Sequence, residues 1–245
     1  MYAIQLENIT KIFNLLHQYN GNSRKKITDI FGIKKYYKKL YALRNITFNI
    51  RKGEVIGLVG PNGSGKSTLL RIIGNIIQPT SGNLQINGTI ANFLELDLGF
   101  NKYLTAKQNV YLSGILLGIP RRVITNNLDE IFAFAELEKF IDVPLRQFSH
   151  GMLTRLGFGV ALLQKEKDIF LFDESLSAGD IDFKKKCFNE INDLILSGKT
   201  LIVTSHTLSE VMKICPKTIL LNNGRIIYYG KTKDTIKKYK TIINE

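Results

Sequence analysis

Between an apolar run from Glu54 to Val59 and a helix-like stretch beginning at Lys66, the sequence reads Gly60-Pro61-Asn62-Gly63-Ser64-Gly65-Lys66-Ser67-Thr68, a match to G-x-x-x-x-G-K-[ST]. Such a loop works only at a turn from strand to helix, so it dictates local topology as well as chemistry. Its glycines let the backbone curl until successive N–H groups converge on an anion. The helix N-terminus adds the positive end of its dipole. Lys66 supplies a cation for the β- and γ-phosphates of a nucleotide, and Ser67 a hydroxyl ligand for Mg²⁺. Residues Gly60 to Thr68 are therefore the candidate nucleotide-binding loop.

The remaining periodicity alternates between strand and helix. Ala3 to Ile9, Ala42 to Ile50, Glu54 to Val59, Asn83 to Leu96, Asp168 to Phe172, Thr200 to Val203, Thr218 to Leu221 and Arg225 to Tyr229 read as strands or pairs of strands. Lys66 to Ile77 and Phe183 to Leu196 read as helices, with a basic helix at the end of the chain. Residues 14 to 40 read as irregular and basic. From Thr105, a plausible N-cap, the period becomes helical; helices over Arg121 to Leu137 and from His150 to Gln164 follow. Strands alternating with helices imply a largely parallel α/β sheet. Residues 98–164 are expected to form a helical subdomain between core segments 1–97 and 165–245.

Two further strand ends carry chemistry. Asp168 to Phe172 ends in Asp173-Glu174. Parallel sheets present ligands at the carboxyl ends of their strands, so Asp173 is expected beside the phosphate loop, holding Mg²⁺ through a water. Glu174 is placed to polarise an attacking water as general base. Thr200 to Val203 leads to His206, expected to donate to the γ-phosphate and hold the same water.

The order of phosphate loop, acidic pair and strand-tip histidine, with a helical insert between the first two, resembles the ABC-transporter ATPases. In place of that family's Leu-Ser-Gly-Gly-Gln signature this chain has Phe148-Ser149-His150-Gly151-Met152, with Ser149 lying 24 residues before Asp173. The resemblance implies a P-loop NTPase of the RecA-like, ABC type, hydrolysing ATP with Mg²⁺. It also implies a head-to-tail homodimer in which Ser149, His150, Gly151 and Met152 face the γ-phosphate held by the other copy. Ser175 to Asp180 matches the family's connecting loop, with Asp180 reaching the partner. The family's aromatic that stacks on adenine corresponds by offset to Tyr37, 23 residues before Gly60, with Phe13 and Tyr41 as competitors. The family's glutamine in the loop entering the helical subdomain has no counterpart between Thr89 and Phe100; Glu95 and Asp97 are the nearest substitutes.

The resemblance narrows further. Phe148 to Leu162, Leu94 to Phe100 and Gln108 to Gly114 are similar to segments of ATPases that export O-antigen, capsular polysaccharide and teichoic acid. Those proteins carry an amphipathic insertion where this chain has residues 14–40. Here Ile27, Ile30 and Phe31 fall on one face, flanked by Arg24, Lys25, Lys26, Lys34 and Lys35. That segment suits an anionic bilayer surface or a phosphate-linked glycolipid, or equally a solvated loop. Some of those exporters have a carbohydrate-binding domain after the ATPase; with the sequence ending at Glu245 none is expected here.

Composition bounds the partners. The formal net charge is +13, which invites an anionic partner without naming one. One phosphate loop and no sustained heptads argue against the soluble members of the family that act on nucleic acid, and no specific nucleic acid is expected. No stretch of eighteen apolar residues spans a bilayer, and no signal peptide is read at the start. The chain is therefore expected at the cytoplasmic face of the inner membrane, held there by a separate permease whose contact edge includes Asn101 to Lys107. The expected cargo is a lipid-linked polysaccharide, with lipid, drug or peptide as alternatives. Cys187 and Cys215 are expected to be ordinary thiols.

Overall fold

The computed structural model describes residues 1–17, 36–173, 180–205 and 207–243. Its first half runs β1 (Tyr2–His17), β2 (Tyr36–Arg51), β3 (Val55–Val59), α1 (Lys66–Ile73), β4 (Ser81–Ile86) and β5 (Ile90–Phe93). A helical stretch follows: α2 (Ala106–Leu116), α3 (Arg121–Asn126), α4 (Leu128–Ala135) and α5 (His150–Ala161). The chain then continues through β6 (Ile169–Asp173), α6 (Ile181–Leu196), β7 (Thr200–Thr204), α7 (Leu208–Ile214), β8 (Lys217–Asn222), β9 (Arg225–Lys231) and α8 (Thr232–Ile243).

Two sheets result. The larger has the order β5-β6-β7-β3-β8-β9, parallel except for the antiparallel β8–β9 hairpin at its edge. The smaller is antiparallel, in the order β2-β1-β4. Burial explains the placement. Every residue of β3 and β7 is buried, as continuous apolar runs covered on both faces must be. In β9 exposure alternates residue by residue, the mark of a strand with one solvated face.

Successive side chains of each central strand enter opposite layers. Phe170 and Phe172 join Phe93, Phe158, Phe183 and Ile191 against α5, α6 and α7. Ile169 and Leu171 join Leu69, Leu70 and Ile73 of α1, together with Ile4, Leu6 and Ile46 of the small sheet. Phe172 is fully buried, with its ring centroid 4.6 Å from that of Phe93; truncation to alanine there removes about 3–5 kcal/mol. A third apolar cluster, including Val110, Phe132, Leu156 and Val160, lies wholly within the helical stretch.

Several sequence expectations meet a different structure. Residues expected to be irregular at 14–17 and 36–40 extend the β1–β2 pair, from Phe13 opposite Leu40 to His17 opposite Tyr36; this long-range pairing is invisible to local periodicity. The proposed amphipathic face at Ile27, Ile30 and Phe31 lies outside the described residues. The helix expected to reach Ile77 stops at Ile73, where Gly74 caps it and Asn75 turns left-handed at φ 56°. The helix expected over Arg121 to Leu137 is two helices broken at Asn127, whose side-chain amide donates to the Val123 carbonyl at 2.8 Å. Helix α7 has no counterpart among the elements expected from the sequence. Thr105 does cap α2, in a reciprocal box with Gln108.

Candidate functional site

Strands β6, β7 and β3 are neighbours, so their carboxyl ends come side by side. Register brings Thr204 opposite both Leu58 and Asp173. The loop after β3, the acidic end of β6 and the tip of β7 therefore share one edge of the sheet.

The loop after β3 has the geometry its sequence demands. Gly60, Gly63 and Gly65 have φ of 156°, 74° and 108°, a region that residues with a Cβ seldom occupy. At Gly60 a Cβ would also lie 2.1 Å from the Leu221 carbonyl oxygen, so only glycine fits. Lys66 is buried, and its ammonium donates to the carbonyls of Gly60 at 2.9 Å and Pro61 at 3.2 Å. The lysine is thus folded back across the mouth of its own loop, at the start of α1. A cavity of 430 Å³ opens there. Among the described residues, Asn62, Gly63, Gly65, Lys66, Ser67 and Thr68 line one wall, and Phe13, Leu40, Tyr41 and Ala42 the other. The Arg44 guanidinium stands 4.8 Å from the Tyr41 ring centroid and the Lys11 ammonium 5.2 Å from that of Phe13, adding positive charge near the mouth.

Ser64 does not line the cavity: among the described residues its hydroxyl is buried without a hydrogen-bond partner, and it would lie 2.7 Å from a Cβ built at Gly60. Tyr37 pairs with Leu16 on β2, four residues along from Tyr41; its side chain lies outside the described residues. An unforeseen brace is the Asn223-Gly224 turn between β8 and β9. The Gly224 N–H donates to the Ser64 carbonyl at 3.0 Å, and its carbonyl accepts from the Arg44 N–H at 2.7 Å. Asn-Gly between two strands was a legible hairpin signal, but nothing local tied it to the phosphate loop.

At the end of β6, the half-buried Asp173 accepts a hydrogen bond of 2.5 Å from the Thr204 hydroxyl. Glu174 and His206 lie outside the described residues. Around position 206, the buried Ser205 hydroxyl donates to Glu210 at 2.6 Å and accepts the Thr207 N–H at 3.0 Å, pinning the chain on either side. Among the described residues no group of three His, Cys, Asp or Glu side chains forms a metal site by itself. Ser67 and Asp173 are hard oxygen donors, suited to Mg²⁺ that is also held by nucleotide phosphates. Glu95 pairs with Arg71 of α1 at 3.3 Å, whereas Asp97 is exposed.

The second cluster lies at the start of α5. Ser149 is the N-cap, its hydroxyl oxygen accepting the Met152 N–H at 3.2 Å. Ser149, Gly151, Met152 and Arg155 line a cavity of 370 Å³ together with Glu136, Leu137, Phe140 and Asp180. His150 is exposed in the first turn, and its carbonyl accepts from the Thr154 hydroxyl at 3.0 Å. Asp180, expected to reach a partner, is engaged within its own chain. It caps α6, accepting the N–H groups of Asp182 at 3.1 Å and Phe183 at 2.9 Å, and pairs with Arg155. The Phe183 N–H, together with the Arg155 charge, holds its carboxyl below the usual aspartate value against the opposing effect of desolvation. Burial pushes the Cys187 and Cys215 thiols up to about 12, leaving them neutral packing groups.

Known proteins are similar to this chain in sequence and in fold. The ABC transporter family matches residues 43–177. The O-antigen export system ATP-binding protein RfbB of Klebsiella pneumoniae is 38% identical over 243 residues, covering 97% of both chains. The teichoic acids export ATP-binding protein TagH of Bacillus anthracis is 36% identical over 244 residues, 100% of this chain but only 43% of its own length. A solved dimer of the ATP-binding cassette MJ0796, in a post-hydrolysis state bound to ADP and Pi, superimposes with a TM-score of 0.73 at 26% identity, covering 94% of this chain and 98% of the other. On its sequence and its fold alike, the chain belongs to the ABC transporter family.

Proposed function

We propose that this chain is the ATP-hydrolysing subunit of an exporter that moves a lipid-linked surface polysaccharide across the cytoplasmic membrane. The observation that carries the enzymatic part is the shared sheet edge: the cavity walled by Lys66, Ser67 and Thr68 beside the Thr204–Asp173 pair at the adjoining strand ends. In this reading Gly60, Pro61, Asn62, Gly63, Ser64 and Gly65 shape the cradle for the triphosphate, and the loop's free backbone N–H groups bind it; Pro61 has none and serves shape alone. Lys66 moves from its carbonyl partners to the phosphates. Ser67 and Asp173 hold Mg²⁺, which neutralises charge on the phosphates when bound. Glu174 accepts the proton of the attacking water, and His206 donates to the γ-phosphate. Ser149, His150, Gly151 and Met152, at the N-terminus of α5, offer a hydroxyl, N–H groups and a dipole end to the γ-phosphate of a second copy. Two copies then enclose two nucleotides head to tail, as befits a chain similar to a dimeric cassette.

The cargo assignment is supported by the printed functions of the relatives, O-antigen export and teichoic acid export. Among the described residues no helix is long and apolar enough to cross a membrane, so coupling requires a permease. A landing surface for it is formed by Leu98, Tyr103 and Leu116, exposed by 42%, 81% and 56% at the entry to the helical stretch. Leu116 abuts Gly99 there, joining loop and helix in one apolar patch. Deleting the gene and assaying lipid-linked glycan inside the cell against polymer at the surface tests the cargo. Internal accumulation with surface loss is the expected outcome. Unchanged surface glycan contradicts polysaccharide export and turns attention to lipid, drug or peptide cargo.

A further inference from the structure

The turn that joins β8 to β9 is not a free loop tip. Asn223 and Gly224 have φ of 47° and 73°, the left-handed pair that a two-residue hairpin turn between twisted strands requires. Asn223 is exposed, as turn residues usually are, but Gly224 is buried. Both of its backbone polar groups bond outside the hairpin. Its N–H donates to the Ser64 carbonyl at 3.0 Å, and its carbonyl accepts from the Arg44 N–H at 2.7 Å.

These two partners belong to opposite walls of the cavity at Lys66. Ser64 lies in the phosphate loop between the lining residues Gly63 and Gly65. Arg44 follows Leu40, Tyr41 and Ala42 on β2, the strand that forms the other wall and pairs with Phe13. Steric contact repeats the link. A Cβ at Gly224 would lie 2.7 Å from the Ala42 carbonyl oxygen and 3.1 Å from the Leu43 Cα. A Cβ at Gly65 would lie 2.6 Å from the same Ala42 oxygen and 3.1 Å from a Leu221 methyl carbon. Phosphate loop, β2 and hairpin thus meet at one point. Close-packed contacts of this kind transmit small displacements instead of absorbing them.

We propose that Gly224 is a positioning residue for nucleotide binding: the hairpin tip fixes the separation of the phosphate loop from the β2 wall, and with it the width of the cavity between them. The proposal rests on the preceding functional reading, in which that cavity holds ATP. Gly224 does not line the cavity, so it acts through Ser64 and Arg44. Asp173 ends β6, three places from β8 in the sheet. Affinity should therefore follow the clamp while the rate of the chemical step does not.

The test compares Gly224→Ala with Gly198→Ala in the full chain, by mant-ATP titration, steady-state ATP turnover and thermal melting. Gly198 has the same φ of 73° but nothing within 4 Å of a Cβ, so alanine there brings the backbone strain without the contact. Both variants should melt lower than the parent. Only Gly224→Ala should weaken mant-ATP binding about ten-fold and raise the KM for ATP in step, with kcat held within about two-fold. Parental affinity in Gly224→Ala, or an equal loss in Gly198→Ala, would overturn the clamp and leave ATP binding standing. A parent chain that does not bind mant-ATP would overturn the functional reading, and the clamp with it. Amide exchange in the parent, followed by NMR with and without ADP, decides the matter even if Gly224→Ala does not fold. Bound ADP should slow exchange at the Gly224 and Arg44 N–H groups more than at Thr218, at the far end of the same hairpin. Equal slowing at all three, or none, would overturn the clamp.

Discussion

The Thr204 hydroxyl donates to the Asp173 carboxylate across adjacent strand ends, at 2.5 Å, from a side chain with no exposed surface. The strand register sets this bond, since Asp173 and Thr204 are direct partners in the β6–β7 ladder. It orients the carboxylate that, in the proposed reading, holds Mg²⁺. Thr204→Val keeps the strand-compatible shape and removes the donor. It should remove about 1 kcal/mol of stability and raise the Mg²⁺ concentration needed for half-maximal ATP turnover. An unaltered Mg²⁺ dependence would show that Asp173 needs no such orientation.

The wall of the cradle cavity makes a prediction about the base. Tyr41 adjoins Ala42, whose carbonyl oxygen lies 2.6 Å from where a Cβ at Gly65 would stand. Tyr37 lies about 13 Å farther along the strand. Stacking on an aromatic ring is worth about 1–3 kcal/mol per base. Tyr41→Ala should therefore weaken mant-ATP binding roughly ten-fold, and Tyr37→Ala much less. A fluorescence titration decides between them; the reverse ranking would restore the position suggested by sequence offset.

Gly157 carries the contact between α5 and the segment after β5. A Cβ there would lie 2.0 Å from the backbone carbonyl oxygen of Leu96. Gly157→Ala must push these elements apart, at a loss of about 1–3 kcal/mol. Thermal melting should show a drop of several degrees, although alanine is the better helix former. An unchanged or raised melting temperature would mean that the close approach gives way freely.

Much of this was legible because its causes are local. The glycines of the loop at Gly60 to Gly65 announce their own backbone angles. The apolar runs ending at Val59, Asp173 and Thr204 announce central strands, and parallel strands put their ends on one edge. What escaped depends on residues far apart in the chain. The extension of β1 to His17 exists only through its pairing with residues from Tyr36 onward. The Asn127 break is the local exception: it falls within a helix-favouring pattern, where the Asn127 side-chain amide donates to the Val123 carbonyl. The brace from Gly224 to Ser64 spans two sheet neighbours, and the Arg155–Asp180 pair joins two helices. Periodicity carries no trace of either. The resemblance gave Asp180 a role toward a partner copy; within its own chain it caps α6 and pairs with Arg155.

The central claim is that the chain hydrolyses ATP by base-assisted attack of water beside Asp173. The most direct measurement compares ATP binding, turnover and oligomeric state for the purified chain and Glu174→Gln. The amide keeps the size of the side chain and removes its basicity, so mant-ATP should bind as before while turnover falls about 10²–10⁴-fold. With no turnover to release it, an ATP-bound dimer should accumulate in light scattering. Hydrolysis by Glu174→Gln at the parental rate, with no dimer trapped, would contradict the account.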